Sequence, residues 1–333
     1  MSANAAIIGA GSWGTALAIV LAPRFDRIRL WAHETDLVER MFSTRVNDVF
    51  LPGFSLPLNV EPTTDLGYAL EGAGIVIGVM PSRFARAIYL DMLPRLEPEM
   101  RFVSATKGLE QGTLLRMSEV ARAVIGQKFE PRVAVLSGPT FAREVARGEP
   151  TAVVIASPDQ ELAASIQREF SGPTFRLYAN DDPVGVELGA ALKNIIAIGA
   201  GICDGLGLGS NSIAALITRG LAEITRLAMA LGGRPKTLSG LAGLGDLVLT
   251  CNGALSRNRT VGIELAKGRR LTDIVSSMTM IAEGVETTGA ACDLARKCGV
   301  DMPITWQMDA ILRGRTSPRE AIRELMEREL KAE

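Results

Sequence analysis

Histidine and lysine are scarce in this chain. Its 333 residues include a single histidine, His33, and only 7 lysines against 29 arginines. One histidine excludes any mechanism that needs two, and a Ser/His/Asp triad with its histidine elsewhere. Cysteine is also sparse: Cys203, Cys251, Cys292 and Cys298 show neither CxxC nor zinc-ligand spacing, which argues against a disulfide framework and against a metal site. Reduced thiols in a cytoplasmic protein are the expectation. Aromatic residues amount to 5%, with three Trp and three Tyr, and 36 basic against 37 acidic side chains leave a net charge of −1. Such a chain has no overall field for gripping nucleic acid or an anionic membrane, so an anionic ligand must be held locally. Nowhere do 18 apolar residues run together, and no basic segment leads into an apolar run at the amino terminus. Neither a signal peptide nor a membrane span is predicted.

What is present is ordinary globular material, 47% apolar and 22% charged, with length for two domains at about 100 to 200 residues each. Ala5 to Ile8 reads as a short buried strand and Thr15 to Ala22 as a small-residue helix ending near Pro23. Between them stands Gly9-Ala10-Gly11-Ser12-Trp13-Gly14. This is GxGxxG between strand and helix, where glycines permit a tight turn and let backbone N–H groups approach a pyrophosphate at a helix N-terminus. A second strand, Ile28 to Ala32, leads into His33 and Glu34, the latter 20 residues beyond Gly14, where an acid can meet an adenosine ribose. Glu34 favours NAD, while His33 beside it tolerates the 2′-phosphate of NADP, and activity with both is expected.

Strand and helix signals alternate through Gly74 to Met80, Phe102 to Ala105, Val133 to Leu136 and Ala152 to Ala156, which predicts a parallel, doubly wound sheet. Ligands bind beyond the carboxyl ends of such strands, so Lys107, Gly138 and Thr140 should face the cofactor crevice. After about residue 182 strand signals stop, and helical stretches such as Leu188 to Cys203, Ile213 to Leu231 and Gly284 to Cys298 dominate. The expected fold is α/β: a Rossmann-type dinucleotide-binding domain over 1–182, followed by a mainly α-helical substrate-binding domain over 183–333. Ser317-Pro318-Arg319-Glu320 announces the last helix as a capping box. The glycine clusters Gly205/Gly207/Gly209 and Gly240/Gly243/Gly245 lack a preceding strand and read as helix ends and close backbone approaches.

One helical stretch carries more than structure. Leu188 to Cys203 holds a single charge, Lys193, beside Asn194, and an ammonium amid apolar residues is costly unless paired or functional. A lysine snorkelling to solvent at the domain junction is the bland alternative. A desolvated lysine can lower its pKa and transfer a proton, which arginine cannot do, so Lys193 leads as general acid and base. A second cluster, Gly243 to Thr250 with Ser256-Arg257-Asn258-Arg259, supplies guanidinium, hydroxyl and amide groups for clamping a phosphate or carboxylate, against the alternative of a solvated basic face.

The segments GAGSWGTALA from Gly9, SATKGLE from Ser104, SGPTFARE from Ser137, ELGAALKNIIAIGAG from Glu187, GLAGLGDLVLTC from Gly240 and SRNR from Ser256 together resemble the bacterial-type NAD(P)-dependent sn-glycerol-3-phosphate dehydrogenases. The likeness runs from residue 7 to about residue 305. It implies reversible hydride transfer between NAD(P)H and dihydroxyacetone phosphate, giving glycerol 3-phosphate for phospholipid synthesis. Residue by residue, it implies that Lys193 is the proton donor and acceptor. It puts Ser12, Trp13, His33, Ala142, Ile281 and Glu283 at the dinucleotide with Gly9, Gly11 and Gly14, and Lys107 and Arg257 at both cofactor and substrate. Gly138, Thr140, Lys193, Asp246, Ser256 and Asn258 complete the implied substrate contacts. Position 281 is commonly valine in that family, and isoleucine serves equally for an apolar contact. Gln111-Gly112 and Arg269 to Met280 match poorly, and nothing is transferred there.

Removing hydride from an alcohol carbon requires the hydroxyl proton to leave as well, and Lys193 can take it. Lys107, if close, would weaken the hold of Lys193 on its proton by like-charge repulsion and polarise the carbonyl in the reverse direction. Two alternatives stay open on sequence: a sibling reductase acting on a 3-hydroxy acid or ketopantoate, without the phosphate clamp, and a nonenzymatic dinucleotide sensor. The expected partner is the small-molecule substrate, with no nucleic acid and no integral membrane association. The oligomeric state is left open, a homodimer included.

Overall fold

The computed structural model describes residues 4–278 and 280–330; Thr279, inside the poorly matching stretch, and the three residues at either end lie outside it. Eight strands form one sheet: β1 (Asn4–Ile8), β2 (Arg27–Trp31), β3 (Val60–Thr63), β4 (Ala73–Gly78), β5 (Arg101–Ser104), β6 (Arg132–Ser137), β7 (Thr151–Ala156) and β8 (Phe175–Asn180). Their order is β3-β2-β1-β4-β5-β6-β7-β8, which over the first six strands is the dinucleotide-binding order with its switch point between β1 and β4. β1 pairs with both neighbours in parallel, Ile8 opposite Trp31 on one side and Gly78 on the other. Both faces are covered, so neighbours point into different cores. Ile7 packs with Leu17, Val103 and Leu136, while Ile8 packs with Val76, Phe102 and Val133. This two-sided burial is why the strands read as continuous apolar runs.

The expectation of an all-parallel sheet needs correcting at one place. β6 and β7 are antiparallel, Leu136 opposite Ile155. The cause lies in the connection. Its only helix, Ala142–Arg147, has six residues and rises about 9 Å, whereas returning along a six-residue strand needs about 20 Å. The chain therefore turns back from the edge it has reached. Between β7 and β8 the eleven-residue helix Gln160–Phe170 restores a parallel crossover. Two strands escaped the sequence reading. β3 contains Pro62 and is an edge strand, where proline is tolerated. β8, the other edge, alternates buried Phe175 and Leu177 with exposed Arg176 and Tyr178.

Beyond β8 the chain is helical. Asp182 caps the 23-residue helix Pro183–Gly205, its Oδ1 accepting from Gly185 N at 2.8 Å, with Pro183 at the first position. This central helix is long and apolar enough to cross a membrane, yet its most apolar 18 residues are wholly buried in the protein. It lies against Ser210–Ala230, Asp246–Asn252, Arg257–Ala266 and Glu283–Cys298, in a core of Leu188, Ile195, Leu247, Val261 and Leu294. Its approach to Arg257–Ala266 is backbone to backbone. A Cβ on Gly201 would stand 1.9 Å from Arg259 O, and one on Gly262 2.0 Å from Ile198 O. At the last helix, Ser317 Oγ accepts from Glu320 N at 3.2 Å.

Candidate active site

The glycine turn forms where β1 ends beside β4. Gly9 has φ +120, and a Cβ there would sit 2.9 Å from the backbone of Val79. Gly14 packs the following helix, Ser12–Leu21, onto the turn so closely that a Cβ would lie 1.9 Å from Gly9 O. Gly11, the N-cap, has nothing within 4 Å of where its Cβ would stand. The tight positions are thus the first and third glycines, while the second leaves a bare backbone face at a helix N-terminus, which fits a dinucleotide pyrophosphate. Trp13 Nε1 is buried without a hydrogen-bond partner among the described residues. His33 and Glu34 are exposed just beyond β2, the imidazole tilted against Trp31 with ring centroids 6.4 Å apart. Ala142 begins the Ala142–Arg147 helix, which packs on Ser12–Leu21. Sequence reasoning missed Asn47. It is fully buried, and its Nδ2 donates to Ala10 O and Thr15 Oγ1, both at 2.8 Å, bracing the turn from outside.

Beyond the carboxyl ends of β5 and β6 stand Lys107, Gly138 and Thr140. Lys107 Nζ donates to Gly138 O at 3.3 Å and to Asp246 Oδ2 at 2.8 Å. Thr140 Oγ1 donates to the same Gly138 carbonyl at 3.2 Å. Gly138 has φ +156, and a Cβ would meet Val153 Cα at 2.9 Å. From the central helix Lys193 Nζ reaches the other oxygen, Asp246 Oδ1, at 2.5 Å, and Thr250 Oγ1 at 2.6 Å. Asp246 and Thr250 lie one turn apart on Asp246–Asn252, which follows a π-helical turn, Leu241–Gly245. Lys193 is 6% exposed and Asp246 1%. Burial pulls the Lys193 ammonium down to a pKa of about 8; Asp246 opposes that shift and Lys107 adds to it. The snorkelling alternative is overturned, because the Lys193 ammonium ends on a buried carboxylate. Thr250, which ends the Gly243 to Thr250 cluster, was given no role on sequence, although its i,i+4 spacing from Asp246 was visible.

A third group gathers at the start of Arg257–Ala266. Ser256 is its N-cap, Oγ accepting from Arg259 N at 3.3 Å. Asn258 Oδ1 accepts from Gly284 N at 2.9 Å, leaving its amide donors uncommitted among the described residues. Arg257 Nη1 donates to Ile281 O at 2.8 Å. Glu283 accepts from Ser82, at 2.7 Å from Oγ and 3.3 Å from N, which ties the β4 loop to the helical domain. Burial raises the Glu283 carboxyl pKa, against the pull of Ser82. The sequence shows Pro81-Ser82 as a polar loop after its strand, but not the contact with Glu283, which lies 201 residues away. Arg259 stands apart from the clamp, paired with Asp204 at 2.9 Å.

The three groups are contiguous. A Cβ on Gly284 would meet Asn194 O at 2.7 Å, beside Lys193, and one on Gly108, beside Lys107, would come within 3.2 Å of Glu283 Oε2. Phe141, next to Ala142, abuts Gly253 ahead of Ser256. The arrangement can hold an anion near Arg257 and Asn258 and move a proton at Lys193, beside a turn shaped for a dinucleotide.

Known proteins match this chain over almost its whole length. The family model described as NAD-dependent glycerol-3-phosphate dehydrogenase N-terminus matches residues 4–163, and its C-terminus counterpart matches 182–323. A glycerol-3-phosphate dehydrogenase (NAD(P)+) of Koribacter versatilis is 61% identical over 325 residues, covering 97% of this chain and 96% of its own. One from Geobacter sulfurreducens is 51% identical over 333 residues, covering 100% and 99%. The crystal structure of glycerol-3-phosphate dehydrogenase from Coxiella burnetii is similar at TM-score 0.94 and 43% identity, over 98% of this chain and 99% of that one.

Proposed function

The chain belongs to the NAD-dependent glycerol-3-phosphate dehydrogenase family, and from that premise we propose that Lys193 transfers the proton while Lys107, Asp246 and the Arg257 cluster organise the substrate. The enzyme is an NAD(P)-dependent oxidoreductase that interconverts dihydroxyacetone phosphate and glycerol 3-phosphate. The sibling-reductase and sensor alternatives are set aside on this ground. The nicotinamide, when bound, supplies or accepts the hydride at C2. The chain's own residues must then deliver or remove one proton at the C2 oxygen and hold the phosphate.

One observation carries the proton assignment: Lys193 and Lys107 donate to the two oxygens of the same buried carboxylate. An ammonium has three N–H donors. Asp246 and Thr250 take two from Lys193, which leaves one for the substrate oxygen. In reduction that N–H protonates the developing alkoxide, and in oxidation the neutral amine takes the hydroxyl proton. Lys107, on the other oxygen of Asp246, is assigned to stabilising the negative character that builds on the substrate oxygen. Arg257 and Asn258, with Ser256, are assigned to the phosphate, and Gly138 and Thr140 to the substrate's other wall. Ser12, Trp13, His33, Ala142, Ile281 and Glu283 are assigned to the dinucleotide, which the open Gly11 face suits.

We assign residues 1–182 to cofactor binding and 183–333 to substrate binding. Glycerol 3-phosphate is the acceptor for acylation in glycerophospholipid synthesis, and we place the enzyme ahead of that step. Four unbridged thiols favour the cytoplasm, and a homodimer is the proposed assembly.

The deciding experiment is Lys193→Arg, assayed with NADH and dihydroxyacetone phosphate. Arginine keeps the charge but does not release a proton, so a variant that folds and binds dinucleotide should lose on the order of 10² to 10⁴ in turnover. Wild-type turnover would falsify the assignment.

A further inference from the structure

The central helix carries a second buried ionisable group, Glu187, on which the proton chemistry makes no demand. Its side chain is 3% exposed. It accepts three hydrogen bonds, all from the N-terminal end of the helix Met117–Ile125: from Nη1 of its N-cap Arg116 at 2.6 Å, Ser118 N at 2.8 Å and Ser118 Oγ at 2.6 Å. Arg116 is also held by Glu119 at 2.7 Å. A carboxylate this buried is retained at a cost unless it is paired and fully hydrogen-bonded, and here it is both.

The loop that carries Lys107 ends at that N-cap. Arg116 forms an antiparallel backbone bridge with Leu109, and Glu110 N donates to Leu115 O at 2.9 Å, so the loop closes on itself two residues after Lys107. Leu109 is buried in the helical core that also contains Leu188, and partly buried Leu114 packs against it. Leu114 does so at φ 63, a strained conformation for a bulky residue that persists only where surroundings enforce it. A continuous path therefore runs from Glu187 through Arg116 and Leu109 to Lys107. The other branch runs six residues along one helix from Glu187 to Lys193.

We propose that Glu187 is a positioning residue, fixing the Lys107 loop against the Lys193 helix so that both ammonium groups reach Asp246. This rests on the assignment of proton transfer to Lys193. In Glu187→Gln the amide oxygen can still accept from Ser118, but the amide N–H groups face the Arg116 guanidinium, and the bracket loses its charged arm.

The test is steady-state kinetics of the full-length Glu187→Gln enzyme over a pH series with NADH and dihydroxyacetone phosphate. Turnover should fall by about tenfold or more, since small misplacements of reacting groups are that costly. The KM for NADH should stay within about twofold, because the glycine turn lies outside the bracket. The pH midpoint of reduction should rise, as Lys107 withdraws and its like-charge repulsion of Lys193 weakens. Arg116→Lys, which keeps a charge on Glu187, should restore part of the turnover lost in Arg116→Met. If Glu187→Gln does not fold, Ser118→Ala and Arg116→Met are read for the same midpoint. A wild-type midpoint, or an effect confined to thermal stability, overturns the proposal. Lys193→Arg run beside it separates the failures: an active Lys193→Arg sinks the lysine assignment, whereas an inactive one beside a normal Glu187→Gln sinks only the bracket.

Discussion

Lys107 and Lys193 come from different halves of the chain, yet their ammonium groups donate to opposite oxygens of one carboxylate, Asp246, at 2.8 and 2.5 Å. Two positive charges on one buried negative charge leave an excess of one, and the excess falls most heavily on the more buried lysine. Lys193 is therefore the group that burial and its neighbour push towards neutrality.

That imbalance sets a pH dependence. With the Lys193 pKa lowered from 10.5 to about 8, reduction needs the ammonium and should decline as pH rises through about 8. Oxidation needs the amine and should increase over the same range. Profiles of kcat/KM in both directions check this, since they report the free enzyme. Stability follows the amine: a depressed lysine pKa contributes most at alkaline pH, and the contribution is lost as pH falls through about 8. Oxidation and reduction profiles that rise together would exclude a single titrating acid and base.

Asp246→Asn separates the carboxylate from its two partners. Because Asp246 holds the Lys193 pKa up, its loss should move the midpoint below about 8 and deplete the ammonium at neutral pH. Reduction at pH 7 should then fall by about tenfold or more, and oxidation at the same pH by less. Equal losses in both directions would mean that Asp246 only positions the lysines and does not set their protonation.

How much of this was readable in the sequence depends on how local each feature is. The glycine turn was legible because its three roles lie within six residues, and the structure separates tight Gly9 and Gly14 from open Gly11. Lys193 stood out as the single charge in the apolar stretch Leu188 to Cys203. The reversal of β7 depended on a helix only six residues long, which a strand-and-helix reading passed over. Ser82 on Glu283, Arg116 on Glu187 and Asn47 on the glycine turn join residues 37 to 201 positions apart, a distance at which no periodicity carries a signal. The split within SRNR was hidden as well. Arg257 and Arg259 look alike in sequence, but one turns to Ile281 O and the other to Asp204.

That split yields a prediction. If Arg257 holds the substrate phosphate, Arg257→Ala should raise the KM for dihydroxyacetone phosphate about ten- to a hundredfold, the equivalent of about 1.5 to 3 kcal/mol for a hydrogen bond to a charged group. Arg259→Ala, losing a contact to partly exposed Asp204, should change it little. Unphosphorylated dihydroxyacetone should be a poor substrate for the wild type and both variants. An unchanged KM in Arg257→Ala would move the phosphate to the Lys107 loop.

Packing behind the clamp is testable independently of charge. The Arg257–Ala266 helix reaches the central helix only because Gly201 and Gly262 carry no side chains, and a methyl group on Gly262 would stand 2.0 Å from Ile198 O. Backbone cannot yield as a flexible side chain does, so Gly262→Ala must push the two helices apart, at about 1 to 3 kcal/mol or more of stability by urea or thermal unfolding. The same shift moves Ser256, Arg257 and Asn258 at the N-terminal end, so the KM for dihydroxyacetone phosphate should rise while the KM for NADH changes less. Gly74→Ala in β4, where nothing lies within 4 Å, is the control. Its expected effect is neutral to stabilising, by up to about 1 kcal/mol. A Gly262→Ala enzyme as stable as the control, with unaltered substrate KM, would mean that the close helix contact neither sets the fold's stability nor places the clamp.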